Sequence, residues 1–146
     1  MDLIADIHAM LKPRFAATGV TFKYDAVDGS ISLKSDAGGI RQVLLNVLMN
    51  ALEATPAGGT VSLRILQDKG DGFITIQVDD TGEGLGGREA EDLFEPFVTT
   101  GTRGTGLGLT ISRKIIESLK GALTLTDNPD GGMRCTIRLH QAGGKP

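Results

Sequence analysis

Thr60 to Leu66 reads TVSLRIL, and Phe73 to Asp79 reads FITIQVD. Both segments alternate apolar and polar residues with a period of two. Asp68 to Gly72 between them carries the residues of a hairpin turn. Such alternation puts one face of each strand on a core and leaves the other wet, the pattern of antiparallel strands covered on one side only. A sheet of this kind needs helices for its apolar face, and the neighbouring segments supply them.

Upstream, Ile40, Val43, Leu44, Val47, Leu48 and Ala51 form one stripe at helical spacing, widened by Leu45, Met49 and Leu52. Asp36 stands where a cap is expected, and Pro56, Gly58 and Gly59 end the helix. Further upstream, Leu3, Ile4, Ile7, Met10, Leu11 and Phe15 predict an amphipathic helix that ends near Gly19, with Pro13 inside the pattern as a kinking or shortening element. Val20 to Asp25 and Ile31 to Ser35 read as short strands around an Asp28-Gly29 turn. Downstream, Leu107 to Leu119 predicts a helix stopped by Gly121, followed by a strand pair, Leu123 to Thr126 and Met133 to Leu139. Asp80 to Gly108 is a long irregular connection in which only Glu89 to Phe94 has a helical pattern; connections of this length usually carry function. Interspersed helices and strand pairs predict an α+β fold: a two-layer α/β sandwich with helices on one face of a mixed, largely antiparallel sheet.

The chain has 146 residues, which fits one domain, expected over residues 1–140 with a tail from Gln141 to Pro146. With 40% apolar and 23% charged residues, it can bury a core. Lysine and arginine total 15 against 18 acidic residues, a net charge of −3, and the aromatic residues are Phe 5 and Tyr 1. This is no footprint for nucleic acid. No apolar run reaches the roughly 18 residues of a membrane span, and the N-terminus lacks the basic start of a signal peptide. A single cysteine, Cys135, and the separated His8 and His140 argue against disulfides and cysteine- or histidine-based metal sites, and fit a reducing, cytoplasmic setting. Glycine is enriched, at 21 residues, many of them between Gly82 and Gly108.

Three constellations carry chemistry. Asn46 and Asn50 are four apart and share a helix face, with Glu53 beside them. Buried asparagines need partners; these two either hydrogen-bond a neighbouring loop or offer amide oxygens to Mg²⁺, a metal that shares its site with substrate phosphates. Asp79-Asp80-Thr81-Gly82-Glu83-Gly84 follows a strand, and is either an ordinary turn or a close approach to a ligand, with Asp80 accepting from an exocyclic amine such as adenine N6. Gly104-Thr105-Gly106-Leu107-Gly108-Leu109 opens a helix, so that free backbone N–H groups and the helix dipole make an anion site suited to a triphosphate. Gly82 to Gly87 formally matches G-x-G-x-x-G. Its preceding strand alternates, no long crossover helix follows, and no acidic residue stands where a ribose would be held, so a dinucleotide fold is not supported. No Walker-type phosphate loop and no Ser/His/Asp nucleophile grouping is present.

Taken together, these segments resemble sensor histidine kinases. Asn46 to Thr55 looks like the N box, Asp80 to Gly84 the G1 box, Leu93 to Phe97 the F box and Gly104 to Leu109 the G2 box, in the family's order. The resemblance covers nearly the whole chain. It implies the catalytic and ATP-binding domain of a two-component histidine kinase, in the ATPase superfamily that includes gyrase, MutL and a heat-shock chaperone, with its Bergerat-type α/β sandwich. It further implies ATP and Mg²⁺ as cofactors, with Asn50 as the metal ligand and Asn46 in support. Asp80 would bind the adenine amine, and Gly82 and Gly84 would shape its pocket. Phe97, Thr99, Thr100, Arg103, Gly104, Thr105, Gly106, Leu107 and Gly108 would make the remaining nucleotide contacts. The implied partners are a histidine-bearing dimerisation domain and a downstream response regulator, with no nucleic acid or membrane contact by this domain, which is expected to be a monomer in isolation.

The chain departs from the family at three points. Gly101 stands where many relatives carry lysine, leaving Arg103 as the nearest cation for phosphate. Glu53 replaces a basic residue of some relatives, so its expected role is on Mg²⁺ through water or on the incoming histidine. The phosphoacceptor segment is missing, and His8 is expected to be a solvated helix residue. Two alternatives to phosphotransfer are a standalone ATP hydrolase, disfavoured because Asn46 stands where those relatives place a glutamate base, and a nucleotide-responsive interaction module without chemistry.

Leu85 to Arg103 has few apolar anchors beyond Leu93, Phe94, Phe97 and Val98 with which to offset its conformational entropy. It is therefore expected to act as a lid that orders on triphosphate binding. Hydrogen exchange with and without a non-hydrolysable ATP analogue should show protection of Gly86 to Arg103 amides only in the bound state; equal, strong protection in both would exclude a lid.

Overall fold

Phe73–Asp80 and Thr60–Asp68 form the expected hairpin, with Ile76 opposite Ile65 and Val78 opposite Leu63. The computed structural model describes residues 3–26, 37–68, 72–82, 84, 108–129 and 131–140. Within these, the order is α1 (Leu3–Thr18), β1 (Thr21–Ala26), α2 (Ala37–Ala54), β2 (Thr60–Asp68), β3 (Phe73–Asp80), α3 (Gly108–Ser118), β4 (Ala122–Asp127) and β5 (Met133–His140). The predicted strand at Ile31 to Ser35, the Asp36 cap, the helical pattern at Glu89 to Phe94 and the tail from Gln141 lie outside the described residues.

The sheet is five-stranded, in the order β1-β2-β3-β5-β4. All neighbours are antiparallel except β1 and β2, which run parallel, so the sheet is mixed. A parallel neighbour requires a crossover, and α2 provides it. The two strands begin level because their leading loops are tied together: the Gly58 N–H donates to the Gly19 carbonyl at 2.8 Å and the Thr21 N–H to the Gly59 carbonyl at 3.0 Å. That sets Thr21 opposite Thr60.

One face of the sheet is apolar. Val61, Leu63 and Ile65, Ile74, Ile76 and Val78, Leu123 and Leu125, and Cys135, Ile137 and Leu139 are buried against Ile7, Leu11 and Phe15 of α1, the long stripe of α2 and Ile116 of α3. All three helices therefore serve one face, and the architecture is the α+β sandwich expected. The other face is polar: Asp79 and Arg134 meet there in register, with a two-pronged ion pair at 2.8 and 3.0 Å.

The helix ends follow local rules. The Thr55 hydroxyl donates to the Ala51 carbonyl at 2.7 Å, and Pro56 cannot extend α2. Pro13 lies inside α1 without ending it. His8 differs from the solvated residue expected. It is half-buried, with its ring 4.8 Å from that of Phe22 and 5.9 Å from that of Tyr24. The reason is that β1 is an edge strand whose two aromatic side chains turn towards α1, and the imidazole covers them. Among the described residues, no helix is long and apolar enough to cross a membrane.

Two helices close with the same paired bonds. In α1, the Val20 N–H reaches the Phe15 carbonyl and Gly19 takes φ 75°; in α3, the Gly121 N–H reaches the Ile116 carbonyl and Lys120 takes φ 66°. Gly121 was expected to stop α3, yet Lys120 occupies the left-handed position. Gly121 is needed one residue later, where a Cβ would sit 2.3 Å from the Arg138 carbonyl oxygen. A lysine at positive φ costs about 1–2 kcal/mol, partly offset by the larger unfolded-state freedom of glycine. Lys120→Gly is expected to raise stability by about 0.5–1 kcal/mol, read as a higher urea midpoint at unchanged slope. Gly121→Ala should lower that midpoint.

Candidate functional site

The inward row of β3 runs Ile74, Ile76, Val78 and then Asp80. The pleat thus carries a carboxylate into a core position, where it is 2% exposed. Its Oδ1 accepts from the Gly82 N–H at 2.9 Å and from the Met133 N–H at 3.1 Å. No donor among the described residues reaches Oδ2. Burial raises the Asp80 pKa above its ordinary value; the two backbone N–H bonds pull it back, and neighbouring Asp79 pushes it up again. A buried carboxylate with one oxygen tied and the other unspent is an acceptor for an incoming N–H donor.

The backbone around Asp80 is closely fitted. A Cβ on Gly82 would lie 2.2 Å from the Ala54 carbonyl oxygen, which brings the residues after β3 hard against the end of α2. Gly132, at φ 88°, passes so near Asp80 that a Cβ would meet its carbonyl oxygen at 1.8 Å. Gly84 follows at φ 71° against the same β4–β5 turn. A cavity of about 10 Å³, the size of one water molecule, is bounded by Asp80 and Val78, by Val47, Asn50 and Ala51 of α2, by Leu109 of α3, and by Leu125, Met133 and Cys135. Burial first, and then the negative charge of nearby Asp79 and Asp80, pushes the Cys135 thiol up to about 12. It stays protonated and serves as apolar floor.

The structure brings Asn50 and Asp80 together and separates them from the other two α2 candidates. Asn50 lines the cavity, and its side chain makes no hydrogen bond among the described residues. Asn46, one turn earlier, donates from Nδ2 to Ser112 Oγ at 3.3 Å and accepts at Oδ1 from Gln42 Nε2 at 3.0 Å. Glu53 is exposed and lines a separate groove of about 670 Å³ between α1 and α2, with Arg14, Thr18 and Met49 among its walls. Gly108 begins α3. Phe97, Thr99, Thr100, Arg103, Gly104, Thr105, Gly106 and Leu107 lie outside the described residues.

Residues 35–143 match the family described as Histidine kinase-, DNA gyrase B-, and HSP90-like ATPase. The chain belongs to this family. Among its relatives, sporulation kinase A of Bacillus subtilis (strain 168) is 33% identical over 130 residues, covering 89% of this chain and 21% of that protein. The chain thus spans about a fifth of that relative's length. The catalytic domain of histidine kinase ThkA superposes with a TM-score of 0.86 at 27% identity, covering 95% of this chain and 90% of that one. Full-length ShkA in complex with AMPPNP superposes with a TM-score of 0.82 at 28% identity, covering 94% and 29%.

Within this histidine kinase-like ATPase fold, sequence reading missed three site residues. Met133 is read from sequence only as a strand start and Gly132 is not singled out, although the Gly131-Gly132 doublet marks a backbone free to pass close to a neighbour. Ser112, in LGLTISRKII, carries no signal beyond being a polar residue on the inward face of a helix.

Because the Asp80 pKa is raised, the folded state holds its proton to higher pH than the unfolded chain does. Stability from this group is therefore present below the ordinary carboxylate value and is lost as pH rises through the raised one. Asp80→Asn keeps an oxygen for Gly82 and Met133 but removes the titration. The stability advantage of wild type over Asp80→Asn should shrink as pH rises from about 4 towards neutrality in the ligand-free protein. Parallel thermal-melt curves for the two proteins would contradict the burial of a titrating carboxylate.

Proposed function

We propose that the chain binds ATP with Mg²⁺ and passes the γ-phosphoryl group to a histidine on a separate dimerisation domain, within a two-component pathway that continues to a response regulator in the cytoplasm. The observation that carries the reading is one cavity lined by buried Asp80, whose Oδ2 has no donor among the described residues, and by Asn50, whose amide has no hydrogen-bond partner among them. An exocyclic amine answers Asp80, and a phosphate-bound cation answers Asn50. The AMPPNP complex of ShkA supports the same ligand class.

Asp80 accepts from adenine N6, and the backbone at Gly82, Gly84 and Gly132 keeps that edge of the pocket narrow. The residues fit a magnesium ion: the Asn50 amide oxygen is a hard, neutral ligand. Among the described residues, no group of three or more His, Cys, Asp or Glu could hold a metal, which suits an ion that takes most of its shell from phosphates and water. When bound, Mg²⁺ would neutralise the charge of the β- and γ-phosphates. Gly104, Gly106 and Gly108, the last of which begins α3, offer backbone N–H groups to those phosphates. Phe97, Thr99, Thr100, Arg103, Thr105 and Leu107 complete the nucleotide contacts, and Glu53 acts at the outer edge, on the incoming histidine. In the transfer, an imidazole nitrogen bonds to the γ-phosphorus, the β,γ P–O bond breaks, and ADP leaves. Asn46 has no proton-accepting capacity and both ends of its amide are bonded, which favours transfer to histidine over activation of water.

With ATP, Mg²⁺ and a purified histidine-bearing dimerisation domain of a histidine kinase, the chain should produce acid-labile phosphohistidine. Asn50→Ala should abolish it and cut the Mg²⁺ enhancement of ATP binding by at least about tenfold. GTP, which carries a carbonyl where adenine has its N6 amine, should bind more weakly than ATP by about 1–3 kcal/mol. Equal binding of GTP and ATP would remove Asp80 from adenine selection. ATP consumed to free phosphate, with none on histidine, would favour a hydrolase; ATP bound but not consumed would favour an interaction module.

A further inference from the structure

Ser112 is 0% exposed, although it shares its helix face with Leu109, Ile115 and Ile116 and that helix otherwise buries only apolar groups. Its oxygen is spent on Asn46, which is in turn held by Gln42. The three side chains form one hydrogen-bonded line from the exposed edge of α2 to the interior of α3. The placement of its ends is informative. Asn46 is one turn before Asn50 on α2. Ser112 is one turn after Gly108, where the glycine-rich stretch enters α3. The bond therefore ties together, one turn behind each, the two helix segments that the preceding reading assigns to metal and to phosphate.

Two packed helices can slide along one another by small amounts at little cost in apolar burial, because hydrophobic contact is not directional. A side-chain hydrogen bond between them is directional and fixes their register. We propose that Ser112 is a positioning residue for the triphosphate. Through Asn46 it sets the register of the α3 N-terminus against α2, and with it the separation between the backbone N–H groups at Gly108 and the Asn50 oxygen. The base contact at Asp80 is held independently, by Gly82 and Met133. Loss of the Ser112 bond should therefore leave nucleoside recognition intact while misplacing the phosphates. Misplacement of about 1 Å can cost up to about a hundredfold in a positioned reaction, and a smaller effect is expected for binding alone.

This inference rests on the reading of the chain as an ATP-binding domain, so the test includes an arm for each. Calorimetry on wild type, Ser112→Ala, Asn46→Ala, the double variant and Gln42→Ala would use adenosine and, separately, ATP with Mg²⁺. Ser112→Ala is expected to weaken Mg-ATP about tenfold while adenosine stays within about twofold. The double variant should be no weaker than Asn46→Ala, because both remove the same bond. Gln42→Ala, at an exposed position that cannot compromise the core, should give a smaller loss of the same kind. If wild type binds Mg-ATP and Ser112→Ala binds it equally well, the positioning role is wrong and the ATP reading stands. If adenosine and Mg-ATP weaken together in Ser112→Ala, the serine is merely structural and the proposal fails. If wild type binds neither ligand, both readings fail.

Discussion

The buried carboxylate of Asp80 constrains its whole surroundings. An ionisable group in an apolar row is tolerable only if backbone donors reach it, and the donors come from two separate places, the residue two positions on and the start of β5. Bringing both N–H groups within 3.1 Å forces the chain after β3 against α2 and the β4–β5 turn against β3, which is why Gly82 and Gly132 have no room for a side chain. The apolar floor of Val78, Leu125 and Cys135 then follows from strand register.

Asp79 and Asp80 show how a pleated strand separates identical residues. One turns outward and is neutralised by Arg134 on the polar face. The other turns inward, bonded among the described residues to backbone N–H groups and to no cation, and keeps one oxygen able to accept. The outward pair also holds β3 to β5 at the level where Asp80 needs the Met133 N–H. The two aspartates thus act on the same strand pair from opposite faces.

The sheet was legible because its strands alternate cleanly: TVSLRIL and FITIQVD could pair in only one sense without turning their apolar sets into water. The helix in the middle was equally plain from its stripe. The parallel pairing of β1 was not, since its register depends on bonds between two glycine loops far apart in sequence. The paired asparagines were seen as one polar strip, but four residues exceed one helical turn by about 40°, and that offset is enough to direct Asn46 to α3 and Asn50 to the cavity. Ser112 and Met133 could not be read from local pattern, because each acts through a partner more than fifty positions away, at separations of 66 and 53 residues. His8 was misread because helix periodicity says nothing of which aromatic side chains a neighbouring edge strand will present.

The contact between Met133 and Asp80 joins positions separated by 53 in the sequence. The entropy lost in closing a chain segment grows only with the logarithm of its length, about 0.6 kcal/mol for each doubling. Between these two anchors α3 and β4 bring Ile116, Leu123 and Leu125 to the core, so it is only outside these two elements that the stretch can lengthen or shorten at little thermodynamic penalty. Changes of length placed outside α3 and β4 are buffered from global stability, and selection can use them to suit ligand and partner without renegotiating the core.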